Sequence, residues 1–439
     1  MDIKEQLRRE KIEFPFTKQE LITALKQYDP ELVEHDPKFT LWEQQGHFDF
    51  IDRNEVRYYS KHSVNNILRL VPEMRALKLK VDGVGFPDKT EYLKTFLPTL
   101  LDRPQGTHHY KMITEVRLNK NYVSQVDWDT ITCWMPYPTF DIKRQSNVIC
   151  QTLSFGRMIP SSVKSKHSYL IMTSGYSAEK ISKNQEAPFY SVLTSFVSHT
   201  NCHFELDKIT TSNPELYAQK TQEAFDSFEG SAHVVNTGPV AEMAKKIVGA
   251  ETNPYQKSKL LFDWVSDHIT WAAAVNYGLM PCIPEYTLAH RHGDCGMVTL
   301  LYISMCLSVD IPARWQSGYM LHDGYENLHD WANIYLEPVG WVAVDASFGR
   351  QDWSTDPKLQ YFYLGSYDGC RCIINNGISE PYLLMDYNDN RADPIDCQRG
   401  ELEDKNRIYP PSAFNFDLKV ARGFDVDDLD ALESPDNSS

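Results

Sequence analysis

The feature that most constrains this sequence is an apolar stretch that directly follows a cysteine. The run Gly293-Asp294-Cys295-Gly296 leads into residues 297–307, where leucine, isoleucine and methionine recur. Such a segment predicts a buried helix with Cys295 at or near its N-terminus. Free N–H groups and the positive end of the helix dipole stabilise an anion there. We therefore expect Cys295 to be a thiolate, the form of cysteine that attacks carbonyl carbon.

An alternating pattern downstream offers the partners that a nucleophilic cysteine needs. Residues 329–336 alternate, and residues 341–345 alternate again after Glu337-Pro338-Val339. We infer an antiparallel hairpin with those three residues as its loop. Trp331 would then lie opposite Asp345, with His329 as the diagonal neighbour of Asp345 on the same face. Because a cysteine nucleophile requires a base and a group that orients it, the pattern predicts His329 and Asp345 in these roles.

These segments resemble the core of the transglutaminase-like superfamily, especially bacterial members described as cysteine peptidases. The order Cys, His, Asp matches, and the resemblance covers about residues 239–349. It implies a papain-like fold in which a helix bearing Cys295 packs on an antiparallel sheet bearing His329 and Asp345. The segments that carry the resemblance are 293–296, 311–314, 318–319, 329–331 and 340–345.

The resemblance also implies an oxyanion stabiliser and a reaction. The backbone N–H of Cys295 is one donor, and an upstream side chain, Trp271 or Tyr277, is the other. Asp294 and Trp331 are expected at the substrate cleft, although Trp331 fits the core equally well. The implied reaction is hydrolysis of an amide bond in a peptide, protein or glycopeptide through a thioester. Transamidation of glutamine and an inactive fold that binds peptide or glycan stay open as alternatives.

The rest of the chain predicts further domains, because 439 residues exceed what one hydrophobic core usually covers. We expect an α+β protein. Its predicted parts are an N-terminal helical region (1–104), a β-sandwich domain (105–209), a transglutaminase-like catalytic domain (210–421) and a disordered acidic tail (422–439). Helical periodicity occurs at 18–26, 64–70, 239–248 and 255–268, and strand-like runs occur at 113–118, 132–135 and 190–197.

Charge and hydropathy exclude some partners. Lysine and arginine number 44 against 60 aspartates and glutamates, so the formal charge of -16 disfavours nucleic acid as a partner. We expect no membrane span, since no apolar run reaches about 18 residues. The charged start and nine irregularly spaced cysteines favour the reducing cytoplasm. A signal peptide removed before this start would instead indicate a secreted or periplasmic protein.

Metal-binding patterns in the sequence are incomplete. A zinc site built from His290, His292, Cys295 and His329 would leave Asp345 without a role. The stretch that begins at Asp386 starts like a calcium loop, but Arg391 stands where that loop requires glycine. Cys370 and Cys372 are more simply neighbours on one face of a strand. We therefore expect no metal and no cofactor.

Overall fold

The computed structural model describes residues 1, 3–139, 143–152, 157–162, 164–173, 189–209, 213–387, 390–391 and 393–423. It mixes helices and sheets, which confirms the α+β class. Within these residues, no helix has both the length and the apolar character needed to cross a bilayer. The α-helices are α1 (Ile3–Glu13), α2 (Lys18–Leu25), α3 (Pro37–Gln44), α4 (Ser63–Leu70), α5 (Pro72–Asp82), α6 (Thr90–Leu101), α7 (Pro214–Asp226), α8 (Gly238–Val248), α9 (Pro254–His268), α10 (Ile283–His290), α11 (Cys295–Leu307) and α12 (Pro357–Gln360).

The strands fall into several sheets, each described below within its part of the chain. They are β1 (Phe16–Thr17), β2 (Phe50–Arg53), β3 (Val56–Tyr59), β4 (Thr107–Leu118), β5 (Thr132–Pro136), β6 (Gln145–Thr152), β7 (Arg157–Pro160), β8 (Tyr169–Thr173), β9 (Phe189–His199), β10 (Thr270–Trp271), β11 (His292–Gly293), β12 (Ala313–Met320), β13 (Asn327–Leu336), β14 (Gly340–Val344), β15 (Leu364–Gly365), β16 (Arg371–Asn375), β17 (Glu401–Asp404), β18 (Arg407–Ile408) and β19 (Phe414–Arg422).

The chain divides into two compact units, and each unit is built from separate stretches of sequence. The first unit comprises Met1–Pro98, Phe204–Trp315 and Asp330–Ser366. The second comprises Thr99–His203, Gln316–His329 and Tyr367–Ser439. Our division at residues 104, 209 and 421 stays a prediction.

The N-terminal part of the first unit is helical, as expected, with a small sheet added. Helices α2 and α4 confirm the predicted segments at 18–26 and 64–70. Thr17 and Glu20 form a capping box at the start of α2. The sheet, in the order β1-β3-β2, was not predicted. Phe39, Phe48 and Tyr59 pack together in the core beside it.

The N-terminal part contacts the segment between α9 and α11 within the same unit. The buried Asn66 side chain donates to the Ala273 carbonyl at 2.8 Å and accepts from the Ala273 N–H at 2.9 Å. The Glu13 carboxylate accepts from the Asn276 N–H at 3.2 Å. The Gly46 carbonyl lies 3.0 Å from His292 Nε2. Residues 1–98 therefore help to fix the backbone that leads to Cys295.

Helix α11 is the central buried element of the first unit. Every residue from Gly296 to Leu307 is buried, which confirms the helix predicted from the apolar stretch. The neighbouring helices α8, α9 and α10 all contact α11. The first two of these confirm the predicted helices at 239–248 and 255–268. A helix enclosed on all sides holds its first residue in a fixed position.

The predicted hairpin is present with the predicted loop. Strands β13 and β14 pair antiparallel from Leu336 with Gly340 to Ala332 with Val344. The pairing stops one residue short of Trp331 and Asp345. In the first unit, β14 also pairs with β15, and the Tyr335 N–H on β13 donates to the Pro312 carbonyl.

Antiparallel sheets dominate the second unit. One has the order β18-β17-β5-β8-β7, and the other has the order β19-β4-β9-β6. Strands β4, β5 and β9 contain the segments predicted at 113–118, 132–135 and 190–197, which are thus confirmed as strands. Strands β17, β18 and β19 join these sheets from the end of the chain, a non-local pairing that was not predicted. The β-sandwich architecture stays a prediction, and residues 424–439 of the expected acidic tail lie outside the described residues.

The two hydrogen bonds between Asn66 and Ala273 generate a stability test. Asn66→Ala removes the side chain that pairs with both the N–H and the carbonyl of the half-buried Ala273. Each hydrogen-bonding group left unsatisfied away from water costs about 1–3 kcal/mol. We expect a lower thermal unfolding midpoint and faster hydrogen exchange at the Ala273 amide. Asn119→Ala is the control, because it removes one partly exposed side-chain hydrogen bond to Ser412. Equal effects of the two substitutions would contradict this assignment.

Candidate active site

Cys295 is the first residue of α11, and the residue before it caps the helix. The Asp294 carboxylate accepts from the Met297 N–H at 3.1 Å, while the Asp294 backbone is extended, as an N-cap requires. A side chain at Gly293 would overlap Met297, so the approach to the helix needs glycine there. The local sequence thus fixes the half-buried Cys295 side chain at the helix N-terminus.

The described partner of the Cys295 sulfur is a carboxylate. Cys295 Sγ donates to Asp330 Oδ2 at 3.1 Å. Asp330 is buried on β13, with 5% of its surface exposed. The sulfur therefore lies against β13, where the side chain of Asp330 reaches it.

Tyr277 also lies against the start of α11, next to Asp330 at Gly296. It begins a short 3-10 turn, Tyr277–Leu279, which the Asn276 side chain caps by accepting from the Gly278 N–H. The Tyr277 hydroxyl donates to the Asp294 carboxylate. A Cβ at position 296 would overlap the Tyr277 hydroxyl and lie 3.0 Å from Asp330 Oδ2. Gly296 is therefore required for the close approach of these two groups.

The electrostatics of the site favour a thiol over a thiolate. Burial raises the pKa of Cys295 well above its ordinary value, and the Asp330 and Asp294 carboxylates raise it further. Two unit charges about 4 Å apart interact by about 4 kcal/mol near a protein surface. The helix N-terminus opposes this with up to about 2 kcal/mol. Our expectation of a thiolate is therefore wrong for this arrangement, because the fold places carboxylates beside the helix end.

Burial and the same acidic surroundings raise the pKa of the Tyr277 hydroxyl. Burial is the largest cause, followed by the charges of Asp294 and Asp330. Tyr277 is consequently a protonated phenol that donates its hydrogen to Asp294. In this arrangement its O–H points to the cap of α11.

His329 and Asp345, the predicted base and orienting group, are both buried. His329 precedes Asp330 on β13, and its carbonyl accepts from Gln398 Nε2 at 3.0 Å. The Asp345 carboxylate follows β14 and accepts from the Ser347 hydroxyl at 2.9 Å and the Phe348 N–H at 3.0 Å. These contacts hold each residue in place. Hydrogen bonding from Cys295 through His329 to Asp345 stays a prediction.

The two predicted tryptophans differ in exposure. Trp271 is 41% exposed on β10, which pairs with β11 so that Trp271 lies beside Gly293. The Arg69 guanidinium stacks over its indole at 4.5 Å. Trp331 is 1% exposed on β13, which fits the core alternative that we left open. Trp271 thus presents an aromatic surface, whereas Trp331 packs in the interior.

Residues that could bind a metal lie together at a place other than the zinc site considered in the sequence analysis. His292 and His290 contact the carbonyls of Gly46 and Tyr286. Among the described residues of the second unit, ligand atoms of His322, Asp368 and Cys370 lie within 4.8 Å of one another. The buried Asp368 carboxylate contacts His322 at 3.0 Å and Arg371 at 3.4 Å. We interpret this group as a buried ionic network, because a cation and a histidine already compensate the carboxylate.

Family comparison supports the predicted resemblance. Residues 241–346 match the model of the transglutaminase-like superfamily. They form a transglutaminase-like core. Cys295, His329 and Asp345 all lie inside it, and Asp345 is next to its last residue. Tyr277 and Asp330 also belong to this core.

Individual relatives are distant. An uncharacterized protein of Haemophilus influenzae is 25% identical over 165 residues, which cover 32% of this chain and 44% of that protein. The match thus spans less than half the length of that relative. An inferred cysteine protease from Cytophaga hutchinsonii has 13% identity and a TM-score of 0.47, and covers 72% of this chain and 92% of its own. The periplasmic domain of TgpA from Pseudomonas aeruginosa has 12% identity and a TM-score of 0.25, with coverages of 57% and 90%.

Sequence reasoning missed Asp330 as a contact of Cys295 in the transglutaminase-like core. The alternating pattern of β13 singled out His329 and Trp331, which share one face of the strand. The available signal was the single acidic residue of β13, since a buried carboxylate needs a specific partner. The pairing with Cys295 depends on how α11 meets β13, which local patterns do not encode.

The cap at Asp294 generates a second test. Asp294→Ala removes the acceptor of the Met297 N–H, and loss of an N-cap costs about 1 kcal/mol. Asp294→Asn is the matched control, because asparagine caps helices almost equally well. We expect the alanine variant alone to show a clearly lower unfolding midpoint and faster hydrogen exchange at the Met297 amide. Equal exchange in the two variants would contradict the capping role.

Proposed function

We propose that this protein is a cysteine-dependent amide hydrolase with Cys295 as its nucleophile. The observation that carries the proposal is the position of Cys295 at the capped N-terminus of a buried helix, inside the segment that matches the transglutaminase-like superfamily. A buried, rigid helix holds the sulfur in one place, which suits attack on a carbonyl carbon at a fixed approach. His329 is proposed as the base and Asp345 as the group that orients it.

The proposed reaction has two steps. His329 accepts the Cys295 proton while sulfur attacks the carbonyl carbon, and the C–N bond breaks as His329 returns the proton to the leaving amine. A thioester remains on Cys295. His329 then takes a proton from water, the hydroxide attacks the thioester, and the acid leaves as the sulfur is reprotonated. The substrate is proposed to be a peptide, protein or glycopeptide.

Oxyanion stabilisation is proposed to come from the Cys295 N–H and one upstream side chain. Tyr277 fits this role better than Trp271, because it lies against Gly296 next to the sulfur. Its hydroxyl would have to turn from Asp294 toward the substrate. The Trp271 indole, exposed beside Gly293, fits a surface that contacts the substrate chain.

A binding protein of the same fold is the second candidate function. The observation that favours it is the hydrogen bond from the Cys295 thiol to Asp330, in an acidic setting that disfavours the thiolate. Such a protein would bind peptide or glycan without turnover.

The cytoplasmic location predicted from the sequence is compatible with nine free cysteines, all in the described part of the chain.

A glutamine-containing peptide and a labelled amine test the proposal directly. We expect the wild type to hydrolyse an amide of the peptide, and Cys295→Ala to lose the rate by at least about a thousandfold. Cys282→Ala is the matched control, because it removes another half-buried cysteine of the first unit. Incorporation of the labelled amine would assign transamidation instead.

The remaining outcomes distinguish the hydrolase from the binding protein. Binding of the peptide with no turnover would favour the binding protein and contradict the hydrolase. Turnover that survives in Cys295→Ala would contradict Cys295 as the nucleophile. Loss of turnover in His329→Ala, with the chain still folded, is expected if His329 is the base.

A further inference from the structure

The contact between Cys295 and Asp330 points to a function for Asp330 beyond packing. The distance from Sγ to Oδ2 is 3.1 Å, within the range of a sulfur hydrogen bond. The Cys295 S–H group donates this hydrogen bond, and the Asp330 carboxylate accepts it. The observed arrangement is therefore a thiol held by a carboxylate.

The groups around the sulfur come from three elements of the first unit. Asp294 caps the helix that carries Cys295, Tyr277 lies on the 3-10 turn, and Asp330 lies on β13. The Asp294 carboxylate accepts from the Met297 N–H and the Tyr277 hydroxyl. Its charge is therefore partly compensated by the helix end. Asp330 is the carboxylate that contacts the sulfur directly.

The surroundings of Gly296 determine where this contact forms. Asp330 is buried, and the space that a side chain at Gly296 would need is occupied by Tyr277 and the Asp330 carboxylate. Because Gly296 provides the only side-chain-free surface next to Cys295 on α11, Asp330 can approach the sulfur there. The contact is thus built by the fold from β13 and α11 together.

We propose that Asp330 restrains the nucleophile by holding Cys295 in its thiol form, so that the sulfur becomes reactive only when its hydrogen bond to Asp330 breaks. This inference rests on the proposed function, since it concerns the nucleophile of the same site. Proton transfer from sulfur to His329 would then compete with the Asp330 hydrogen bond. Substrate that displaces the Asp330 carboxylate would release the thiol for reaction. Burial and the neighbouring negative charges both raise the pKa of Cys295, which agrees with this restraint.

Alkylation across a pH range tests the restraint in the full chain. The rate of reaction of Cys295 with iodoacetamide is followed by peptide mapping in the wild type and in Asp330→Asn. Asparagine keeps the shape of the side chain and removes its charge. We expect the midpoint of the pH–rate profile to fall by about one unit or more. The rate at neutral pH should rise about threefold for each unit, because a less basic thiolate is also less nucleophilic.

Asp352→Asn serves as the control for loss of one negative charge. Asp352 is an exposed carboxylate paired with Arg350 in the first unit. We expect its profile to match the wild type. An Asp330→Asn midpoint that stays unchanged or rises would overturn the proposal, as would an equal shift in Asp352→Asn.

A measurement on the unmodified chain covers the case in which Asp330→Asn does not fold. The ultraviolet absorbance of thiolate is titrated in the wild type and in Cys295→Ala, and the difference gives the pKa of Cys295. A value above that of a free cysteine, about 8.5, supports the restraint, and a value below it overturns the restraint. Neither assay needs an amide substrate. The pKa and the alkylation rate of Cys295 can therefore be interpreted even if the protein does not hydrolyse amides.

Discussion

Competition between a helix end and two carboxylates governs the site. The N-terminus of α11 favours negative charge on Cys295, whereas Asp330 and Asp294 lie where they oppose it. The Coulomb interaction with a neighbouring carboxylate is the larger of the two effects at this range. The proposed chemistry at Cys295 would therefore depend on how protons and charges are rearranged when a substrate binds.

The rest of the first unit fixes the positions of these charges. Helix α11 is buried along its whole length, so its first residue cannot move freely. Strand β13 is held by its pairing with β14 from Ala332 to Leu336, which begins two residues after Asp330. The turn that carries Tyr277 is held by Glu13 and by the Asn66 pair with Ala273. A site with two neighbouring carboxylates needs such support, because removing charged groups from water is costly unless surrounding groups hold and stabilise them.

Local patterns in the sequence predicted much of the transglutaminase-like core. The apolar run after Cys295 indicated helix α11, and the alternation around Glu337-Pro338-Val339 predicted the register of β13 with β14. These features depend on residues close in sequence, where periodicity carries the information.

Periodicity in the sequence could not predict contacts between residues that are far apart along the chain. Asp330 meets Cys295 across 35 residues, and Asn66 meets Ala273 across 207 residues. Neither pairing leaves a periodic signal, so both depend on how separate elements pack. The thiolate expectation failed for this reason. The helix end is visible in the sequence, but the carboxylate that approaches from β13 is not.

The most direct test of the central claim is to trap an acyl group on the protein. The full chain is mixed with an activated ester, quenched with acid, and analysed by intact mass and peptide mapping. The account predicts one added acyl group on Cys295, which hydroxylamine removes as expected for a thioester. An acyl group found on another residue, or none on Cys295 while the ester is consumed enzymatically, would contradict Cys295 as the nucleophile.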